Sequence, residues 1–177
     1  FGDSSVESIA SAIKMSSDGY LYVSGRTGSN LNGETNNGSS DSFLMKLDQD
    51  GNEIWTKLYG TEDYDVALDL GIRSDGYIYL TGVNTSLNQN NVLINENVFL
   101  KKLDMDGNEI WSKSFGNEET INNLYMEEDK SSIYLAGMKG SYFYAQDRNS
   151  GAILYKFSDT ISFNEKLALN YISSNPD

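Results

Sequence analysis

Hydrophobic and polar residues alternate along most of the chain, in stretches that are short for helices. Residues 9–15 and 66–72 place apolar side chains at alternate positions, with small residues among them. A period of two predicts β-strands, and the small residues predict strands at which neighbouring sheets come close together. Residues 20–23 and 77–80 carry bulky apolar side chains on both faces, so we expect these two strands to be covered on both sides.

One stretch of the chain is written twice. Residues 43–55 read FLMKLDQDGNEIW and residues 99–111 read FLKKLDMDGNEIW, so eleven of thirteen positions are identical at an offset of 56. The Asp-Gly pair between apolar runs predicts a β-hairpin, because glycine adopts the positive φ that a tight turn needs. The expected hairpin strands are 43–48, 53–59, 99–104 and 109–115. Five lysines in these strands favour an outer sheet edge, where lysine discourages strand addition. They are Lys46, Lys57, Lys101, Lys102 and Lys113.

Other segments recur at nearly the same spacing, which makes the hairpin part of a larger repeated unit. Residues 18–25 match residues 75–82 at an offset of 57, and residues 130–137 form a weaker third copy. An aromatic residue followed by glycine separates the units, at Phe1-Gly2, Tyr59-Gly60 and Phe115-Gly116. Each unit then reads as four short strands. The expected units are 3–59, 60–115, 116–157 and a partial fourth unit at 158–177.

The third unit is degenerate. Its first strand is expected within residues 121–127, and its hairpin is expected to join strands 142–146 and 152–157 through a turn at 147–151. Residues 167–172 resemble the first strand of a fourth unit.

The connection between the second and third strands differs most among the units. In the first unit it covers residues 26–41 and is almost entirely polar, which predicts a flexible surface loop. In the second unit it covers residues 83–97 and carries Val92, Leu93 and Ile94. We expect this second loop to be the better ordered one, as an extra strand or as a contact with a partner. In the third unit the connection is expected to shrink to a few residues after Met138.

Charge and composition exclude several classes of partner and site. The 177 residues include 26 Asp and Glu against 13 Lys and Arg, a formal net charge of −13. Nucleic acid and anionic membrane surfaces need a basic footprint, so neither is expected as a partner. The absence of Cys and His removes disulfides, thiolate nucleophiles and the commonest metal ligand. No apolar run approaches the ~20 residues of a membrane span. The first residue is Phe1, which predicts a fragment or processed piece of a longer protein.

The repeated order of motifs resembles the bacterial β-propeller repeat, the SBBP-type repeat. The likeness lies in the aromatic-Gly pair, the run Ser-Asp-Gly-Tyr-x-Tyr-x-(Ser/Thr)-Gly and the segment Asp-Ser-Phe-Leu-x-Lys-Leu-Asp-x-Asp-Gly-Asn-Glu-Ile-Trp. It covers residues 1–157, closely in two units and loosely in the third. The family occurs in large secreted or surface proteins of bacteria and has no accepted catalytic residues, so the resemblance implies none here.

The repeated turn invites two interpretations. Asp48, Asp50 and Asn52, like their equivalents in the second copy, place oxygen atoms at alternate positions, an arrangement that suits calcium. They depart from the EF-hand pattern, because glycine is the fourth residue of the run rather than the sixth. Ordinary turn chemistry, in which Asp and Asn bind backbone groups, is the favoured interpretation, and calcium is the alternative.

The other candidate residues are aromatic or match a modification pattern. Trp55 and Trp111 occupy matched repeat positions, which favours packing between sheets over a sugar-stacking platform. Residues 37–39 and 84–86 match the glycosylation pattern, which Asn-rich loops produce by chance. No pair of carboxylates is set apart by sequence for acid–base catalysis.

The expected fold is therefore all-β: β-propeller blades of four antiparallel strands, about three blades and one extra strand of an incomplete propeller. A closed ring needs ~4–8 blades, so the remaining blades are expected in further chain or in another subunit. The expected function is a non-catalytic extracellular or cell-surface scaffold or adhesion module that binds another macromolecule. The alternatives are a carbohydrate-binding propeller and a glycoside hydrolase that uses carboxylates. No catalytic or cofactor-binding residue is assigned, and a calcium ion is the one cofactor considered.

Overall fold

The described part of the chain folds into strands and their connections. This computed structural model describes residues 7–88, 93–115, 119–126, 132–139 and 152–158, and these residues contain no helix. The strands are β1 Ser8–Met15, β2 Leu21–Thr27, β3 Asp41–Leu47, β4 Glu53–Tyr59, β5 Tyr64–Arg73, β6 Tyr77–Leu87, β7 Leu93–Leu103, β8 Glu109–Phe115, β9 Glu119–Met126, β10 Ser132–Lys139 and β11 Ala152–Ser158. The protein is therefore all-β, as the alternation predicted.

The strands form three sheets in which neighbours in sequence are neighbours in space. The first sheet has the order β1-β2-β3-β4, the second has the order β5-β6-β7-β8, and the third contains β9, β10 and β11. Every pair of adjacent strands is antiparallel. Short turns can join only antiparallel neighbours, so the predicted sequential order is confirmed in the described residues.

The hairpin turns of the first two sheets have the same internal hydrogen bonds. The Oδ1 atom of Asp48 accepts the backbone N–H groups of Asp50 and Asn52, and its Oδ2 atom accepts the Asn52 side chain. Asp104 makes the equivalent three bonds. Gly51 has the positive φ, 83°, that the Asp-Gly pair predicted. Both repeated segments therefore fold locally into the same turn.

The polar connection, unlike the apolar one, differs from what its composition suggested. The apolar connection extends the hairpin, because β6 continues to Leu87 and β7 begins at Leu93. Its residue Val92 lies outside the described residues. The polar connection is held in place through Leu31, which is fully buried although its neighbours in sequence are polar. A single apolar side chain therefore anchors a loop whose composition predicted flexibility.

The third sheet corrects one strand assignment. Residues 152–157 were expected to be a fourth strand, yet β11 pairs directly with β10, in the place of a third strand. Tyr134 lies opposite Lys156, as Tyr22 lies opposite Lys46 in the first sheet. The short connection expected after Met138 falls within residues 140–151, which lie outside the described residues. The strand predicted at 142–146, the turn at 147–151 and, apart from Ser158, the partial unit at 158–177 lie outside the described residues.

Each sheet has two chemically distinct faces, because side chains alternate along a strand. We call the face that carries the second tyrosine of β2 or its equivalent the aromatic face. In the first sheet it comprises Tyr22, Leu44, Lys46 and Trp55, and in the second sheet Tyr79, Leu100, Lys102 and Trp111. We call the opposite face the aliphatic face. In the first sheet it comprises Ala10, Ile13, Met15, Leu21, Val23, Phe43, Met45 and Leu47, and in the second Ala67, Leu70, Ile72, Ile78, Leu80, Phe99 and Leu103.

A glycine in the second strand of each of these sheets permits a close backbone contact. A Cβ atom on Gly82 would lie 1.9 Å from the carbonyl oxygen of Val66, and one on Gly25 would lie 2.0 Å from that of Ile9. Both contacts fall beside a β-bulge in the neighbouring strand. Glycine is therefore required in the repeated Ser-Gly or Thr-Gly pair, because there is no room for a Cβ atom at that position.

Replacing Gly82 by alanine should destabilise the fold strongly. We expect Gly82→Ala to lower the free energy of unfolding by about 3 kcal/mol, because a backbone atom must move to admit the methyl group. Gly76→Ala is the matched control, since its position is open and only its φ of 83° opposes a side chain, which costs about 1–2 kcal/mol. Urea unfolding of both variants measures the difference, and an equal loss in the two would contradict the steric explanation.

Candidate functional site

The first two sheets are joined by one apolar interface. Tyr22 and Leu44 on the aromatic face of the first sheet pack against Leu70, Ile78 and Phe99 on the aliphatic face of the second. All five side chains are buried. Burial of this kind contributes roughly 1.5–3 kcal/mol per large side chain, so the interface is a principal source of stability for both sheets.

The hairpin turn of the second sheet rests on the aromatic residues of the first. The Tyr59 hydroxyl donates to the Gly107 carbonyl oxygen at 2.6 Å, and the Tyr22 hydroxyl donates to that of Met105 at 3.3 Å. The Trp55 ring lies so close to Gly107 that a Cβ atom there would be 3.0 Å away. Burial raises the pKa of Tyr59, with a smaller contribution from the negative charge of Asp104. The repeated turn is therefore part of the contact between sheets.

Both tryptophans pack between sheets, as their matched positions predicted. Trp55 makes an edge-to-face contact with Tyr22 at a centroid separation of 6.0 Å. Trp111 makes the equivalent contact with Tyr79 at 6.2 Å. Each ring is half-buried against an apolar cluster. The aromatic surface that a sugar platform would need is thus engaged with the protein itself.

The outer-edge interpretation of the lysines is correct for Lys57 and Lys113, which lie on β4 and β8. It is wrong for Lys46, Lys101 and Lys102, which lie on the inner strands β3 and β7. The Nζ atom of Lys46 lies 4.3 Å from the centroid of the Tyr20 ring, and that of Lys102 lies 4.0 Å from Tyr77. Lys102 is buried. Attraction between an ammonium group and an aromatic face stabilises such positions. The sequence analysis did not predict these lysine–tyrosine contacts, because it treated lysine only as a charge. The signal available in the sequence was the Tyr-x-Tyr motif that precedes each of these lysines.

The contact between the second and third sheets follows the same plan. Tyr79 and Leu100 on the aromatic face of the second sheet pack against Ile133 and Leu135 of β10. These four residues are buried. The aromatic face of one sheet thus covers the aliphatic face of the next in both contacts.

The aliphatic face of the first sheet has no sheet against it in the described part of the chain. Ile13 and Met15 are 58% and 69% exposed. Their equivalents in the second sheet are Leu70, which is fully buried, and Ile72, which is partly buried against the same cluster. Monomeric proteins rarely leave such contiguous apolar surface in water. This face is therefore the principal candidate for an interaction site.

The polar loop covers part of that same face. Leu31 packs against Phe43, Met45 and Leu47. The side-chain nitrogen of Asn32 donates to Glu53 and Thr56 and holds the loop against β4. A cavity of about 190 Å³ remains under the loop, lined by Ser8, Ala10, Val23, Leu31, Phe43 and Met45. The β3 side of the face is thus closed by the loop, while the β1 side is open.

Two buried carboxylates lie where the chain passes from the first sheet to the second. The Oδ2 atom of Asp41 accepts the backbone N–H of Asn37 at 3.0 Å, while its Oδ1 atom has no hydrogen-bond partner among the described residues. Asp65 accepts both the backbone N–H and the hydroxyl of Thr61, and also the side chain of Asn84. Burial raises the pKa of Asp41, the charge of Asp65 raises it further, and the bond from Asn37 opposes both effects.

The turn carboxylates are engaged with their own turns. The three hydrogen bonds from Asp50 and Asn52 hold the pKa of Asp48 below its usual value. Turn chemistry therefore accounts for both oxygen atoms of Asp48, and calcium at these turns stays a prediction. Among the described residues, no group of three or more Asp, Glu, His or Cys side chains is placed to hold a metal ion. Of the two glycosylation matches, Asn37 is exposed, whereas the side chain of Asn84 donates to Asp65.

Comparisons with known proteins bear on the fold alone. No protein-family model matches the chain, and no curated protein sequence matches it. Among solved structures, the chain is similar to hydrazine synthase of Kuenenia stuttgartiensis, with a TM-score of 0.51 and 14% sequence identity. The match covers 85% of this chain and 39% of that chain, so the chain spans well under half of that protein. No helix in the described residues is long and apolar enough to cross a membrane.

Removing the Trp55 ring should weaken the contact between the first two sheets. We expect Trp55→Ala to lower the free energy of unfolding by about 3 kcal/mol, the lower end of the range for core aromatic residues, because the ring is half-buried. Trp55→Phe retains an aromatic ring and should lose less. Chemical denaturation of the two variants measures both values. Unchanged stability in Trp55→Ala would contradict a role in packing.

The raised pKa of Asp41 predicts a pH-dependent stability. A carboxyl with a raised folded-state pKa favours folding below its unfolded pKa, and this contribution is lost as pH rises through the folded pKa. We expect Asp41→Asn to raise the melting temperature at about pH 7 and to change it little at about pH 4. Asp48→Asn is the control with the same change in charge. Since the pKa of Asp48 is lowered, that variant should melt at a lower temperature at neutral pH. A lower melting temperature for Asp41→Asn at neutral pH would contradict the assignment.

Proposed function

We propose that the chain is a non-catalytic scaffold module built from β-propeller repeats, which binds another protein subunit through the faces of its outer sheets. Its place is outside the cell or at the cell surface, as the resemblance to the SBBP-type repeat implies. No cofactor is part of this proposal. The observation that carries it is the aliphatic face of the first sheet, with Ile13 and Met15 exposed where their equivalents are buried or half-buried.

The propeller assignment is supported by how the sheets meet. Strand β5, the first strand of the second sheet, contacts β1, β2 and β3 of the first. Strand β9 bears the same relation to β5, β6 and β7. Face-to-face packing of successive four-stranded sheets through their first strands is expected of propeller blades, and the small residues of β1 and β5 suit the narrow space there.

The engagement of the repeated residues supports a scaffold over a catalyst. The tryptophans and tyrosines lie in sheet contacts, and the turn aspartates bind their own backbone. Asp41 and Asp65 are fully buried, so neither carboxylate reaches solvent to act on a glycoside. A retaining or inverting glycosidase needs two carboxylates on either side of an accessible bond. The loop at residues 26–41 contains no aromatic residue, which weighs against the carbohydrate-binding alternative.

Two assays on the full chain separate the scaffold from its rivals. We expect no turnover of a panel of nitrophenyl glycosides and no retention on a glycan array. Ile13→Asp and Asp41→Asn are included so that any signal can be located in the structure.

Turnover that disappears in Asp41→Asn would make the chain a hydrolase and would overturn the proposal. Glycan binding that disappears in Ile13→Asp would make the aliphatic face a carbohydrate site and would overturn it equally.

A further inference from the structure

The polar loop at residues 26–41 contains two Asn-Gly pairs, Asn32-Gly33 and Asn37-Gly38. Asparagine before glycine can lose its side-chain amide, because glycine has no Cβ atom to hinder attack by its own backbone nitrogen. That nitrogen gives its proton to solvent and bonds to the side-chain carbonyl carbon, and the amide nitrogen takes up a proton and leaves as ammonia. Water then opens the five-membered imide to aspartate or isoaspartate. The reaction consumes only water and adds one negative charge at neutral pH.

The first pair occupies the centre of a tight turn. Leu31 and Glu34 exchange both backbone hydrogen bonds across it, at 3.1 and 2.9 Å. Asn32 has a φ of 50° and Gly33 a φ of 91°, as in a type I′ turn. A type II′ turn keeps the positive φ at its first central residue and differs by rotation of the central peptide, to a ψ of about −120°. Closure of the imide ring holds the backbone near this ψ, so rotation of one peptide group brings the turn to the reactive geometry.

The surroundings of Gly33 leave this rotation unhindered. A Cβ atom at Gly33 would have no other atom within 4 Å, and its backbone N–H has no hydrogen-bond partner among the described residues. The glycine of the second pair is restrained. The Gly38 N–H donates to the Oδ1 atom of Asn36 at 3.0 Å, and a Cβ atom at Gly38 would lie 2.5 Å from the carbonyl oxygens of Thr61 and Asp63. The fold therefore leaves one pair of the loop open to the reaction and protects the other.

The side chain of Asn32 is also what holds the loop to β4. Its Nδ2 atom donates to the Glu53 carboxylate at 2.6 Å and to the Thr56 hydroxyl at 3.1 Å. A carboxylate at position 32 has no proton to donate at neutral pH, and its charge would face the carboxylate of Glu53, which repels it. The Thr56 hydroxyl already donates to Glu53 at 2.7 Å. Leu31, the preceding residue, packs on Phe43, so the loss of this anchor removes the restraint next to the buried leucine.

We propose that Asn32-Gly33 is a site of spontaneous deamidation, and that the reaction detaches the loop at residues 26–41 from β4 and opens the β3 side of the aliphatic face. The two hydrogen bonds of the Asn32 side chain break before the ring closes, so the folded loop slows its own release. Release would expose Phe43, Met45 and Leu47, which the loop covers through Leu31. The inference goes beyond the proposed function, because it concerns when this part of the face becomes accessible and holds whether or not a subunit binds there.

The first test follows both pairs in the full chain during storage at neutral pH and physiological temperature. Peptide mapping by mass spectrometry measures the loss of each asparagine, and electron-transfer fragmentation separates isoaspartate from aspartate. Asn37 is the internal control, since it precedes glycine in the same loop. We expect Asn32 to react several-fold faster than Asn37 in the folded chain, and the two to react at similar rates in urea.

Two results of this first test would overturn the assignment of the site. One is a rate for Asn37 in the folded chain that equals or exceeds that of Asn32. The other is no loss of Asn32 from the folded chain over the time in which the unfolded chain reacts.

The second test asks whether the product releases the loop. Asn32→Asp reproduces one product, and Asn37→Asp adds the same charge at an exposed side chain. Nuclear Overhauser effects between the Leu31 methyl groups and the Phe43 ring report whether the loop is in place. We expect them in the wild-type chain and in Asn37→Asp, and we expect their loss in Asn32→Asp.

A compensating substitution separates charge repulsion from a general disturbance of the loop. In Asn32→Asp combined with Glu53→Gln, the glutamine amide faces the new carboxylate, so a donor and an acceptor are again present with their positions exchanged. We expect the contact between Leu31 and Phe43 to return, and circular dichroism verifies that each variant is folded. A contact that persists in Asn32→Asp, or one that Glu53→Gln does not restore, would overturn the link between deamidation and release of the loop.

Discussion

The packing of an aromatic face on an aliphatic face is the interaction on which the described structure depends. A four-stranded antiparallel sheet has two faces, and in this chain both are largely apolar. Neither face of the middle sheet is left to solvent, because Tyr22 and its neighbours cover one and Ile133 and Leu135 cover the other. The hairpin turn serves this contact, because it rests on the rings of the preceding sheet. Gly25 and Gly82 instead admit a close backbone approach between neighbouring strands of their own sheets.

The charged residues of the repeat are used within this apolar plan. Lys46 and Lys102 lie over tyrosine rings, where the ammonium group retains a favourable electrostatic partner while its methylene chain is buried. Asp48 and Asp104 keep their charge by accepting hydrogen bonds within their own turns. Asp41 is the exception, since its Oδ1 atom is buried without a hydrogen-bond partner among the described residues. The strongly acidic composition is therefore compatible with a dense apolar interior.

Much of the fold was accessible from sequence, because strand alternation and the Asp-Gly turn are local signals. The limits of β8, Glu109–Phe115, agree with the predicted limits, and the sequential antiparallel order is confirmed. In the third unit, the assignment of residues 152–157 to a fourth strand is wrong, because β11 pairs directly with β10. Strand β11 resembles β3, because each has a leucine two residues before a lysine. This resemblance can be recognised only once Tyr134 is known to lie opposite the lysine of β11.

The candidate site was less accessible from sequence, because exposure depends on which sheet lies against which. Ile13 and Leu70 occupy equivalent repeat positions and have similar chemistry, yet one is exposed and the other is buried. No local pattern separates the two. Leu31 was likewise concealed within a polar loop, since a single apolar residue carries no periodic signal. The strands of the repeat were predictable from the sequence, whereas the packing of neighbouring sheets determines which of their faces is exposed to solvent.

The order in which the sheets make contact has a consequence for how the chain opens. The contacts between sheets run from the first to the second and from the second to the third. The stability of such an array is the sum of a local value for each element and a coupling to each adjacent element. The middle sheet is coupled on two sides and the outer sheets on one. Backbone amides of β6 and β7 are therefore released to solvent only in the most cooperative opening of the molecule, whereas β1 frays early.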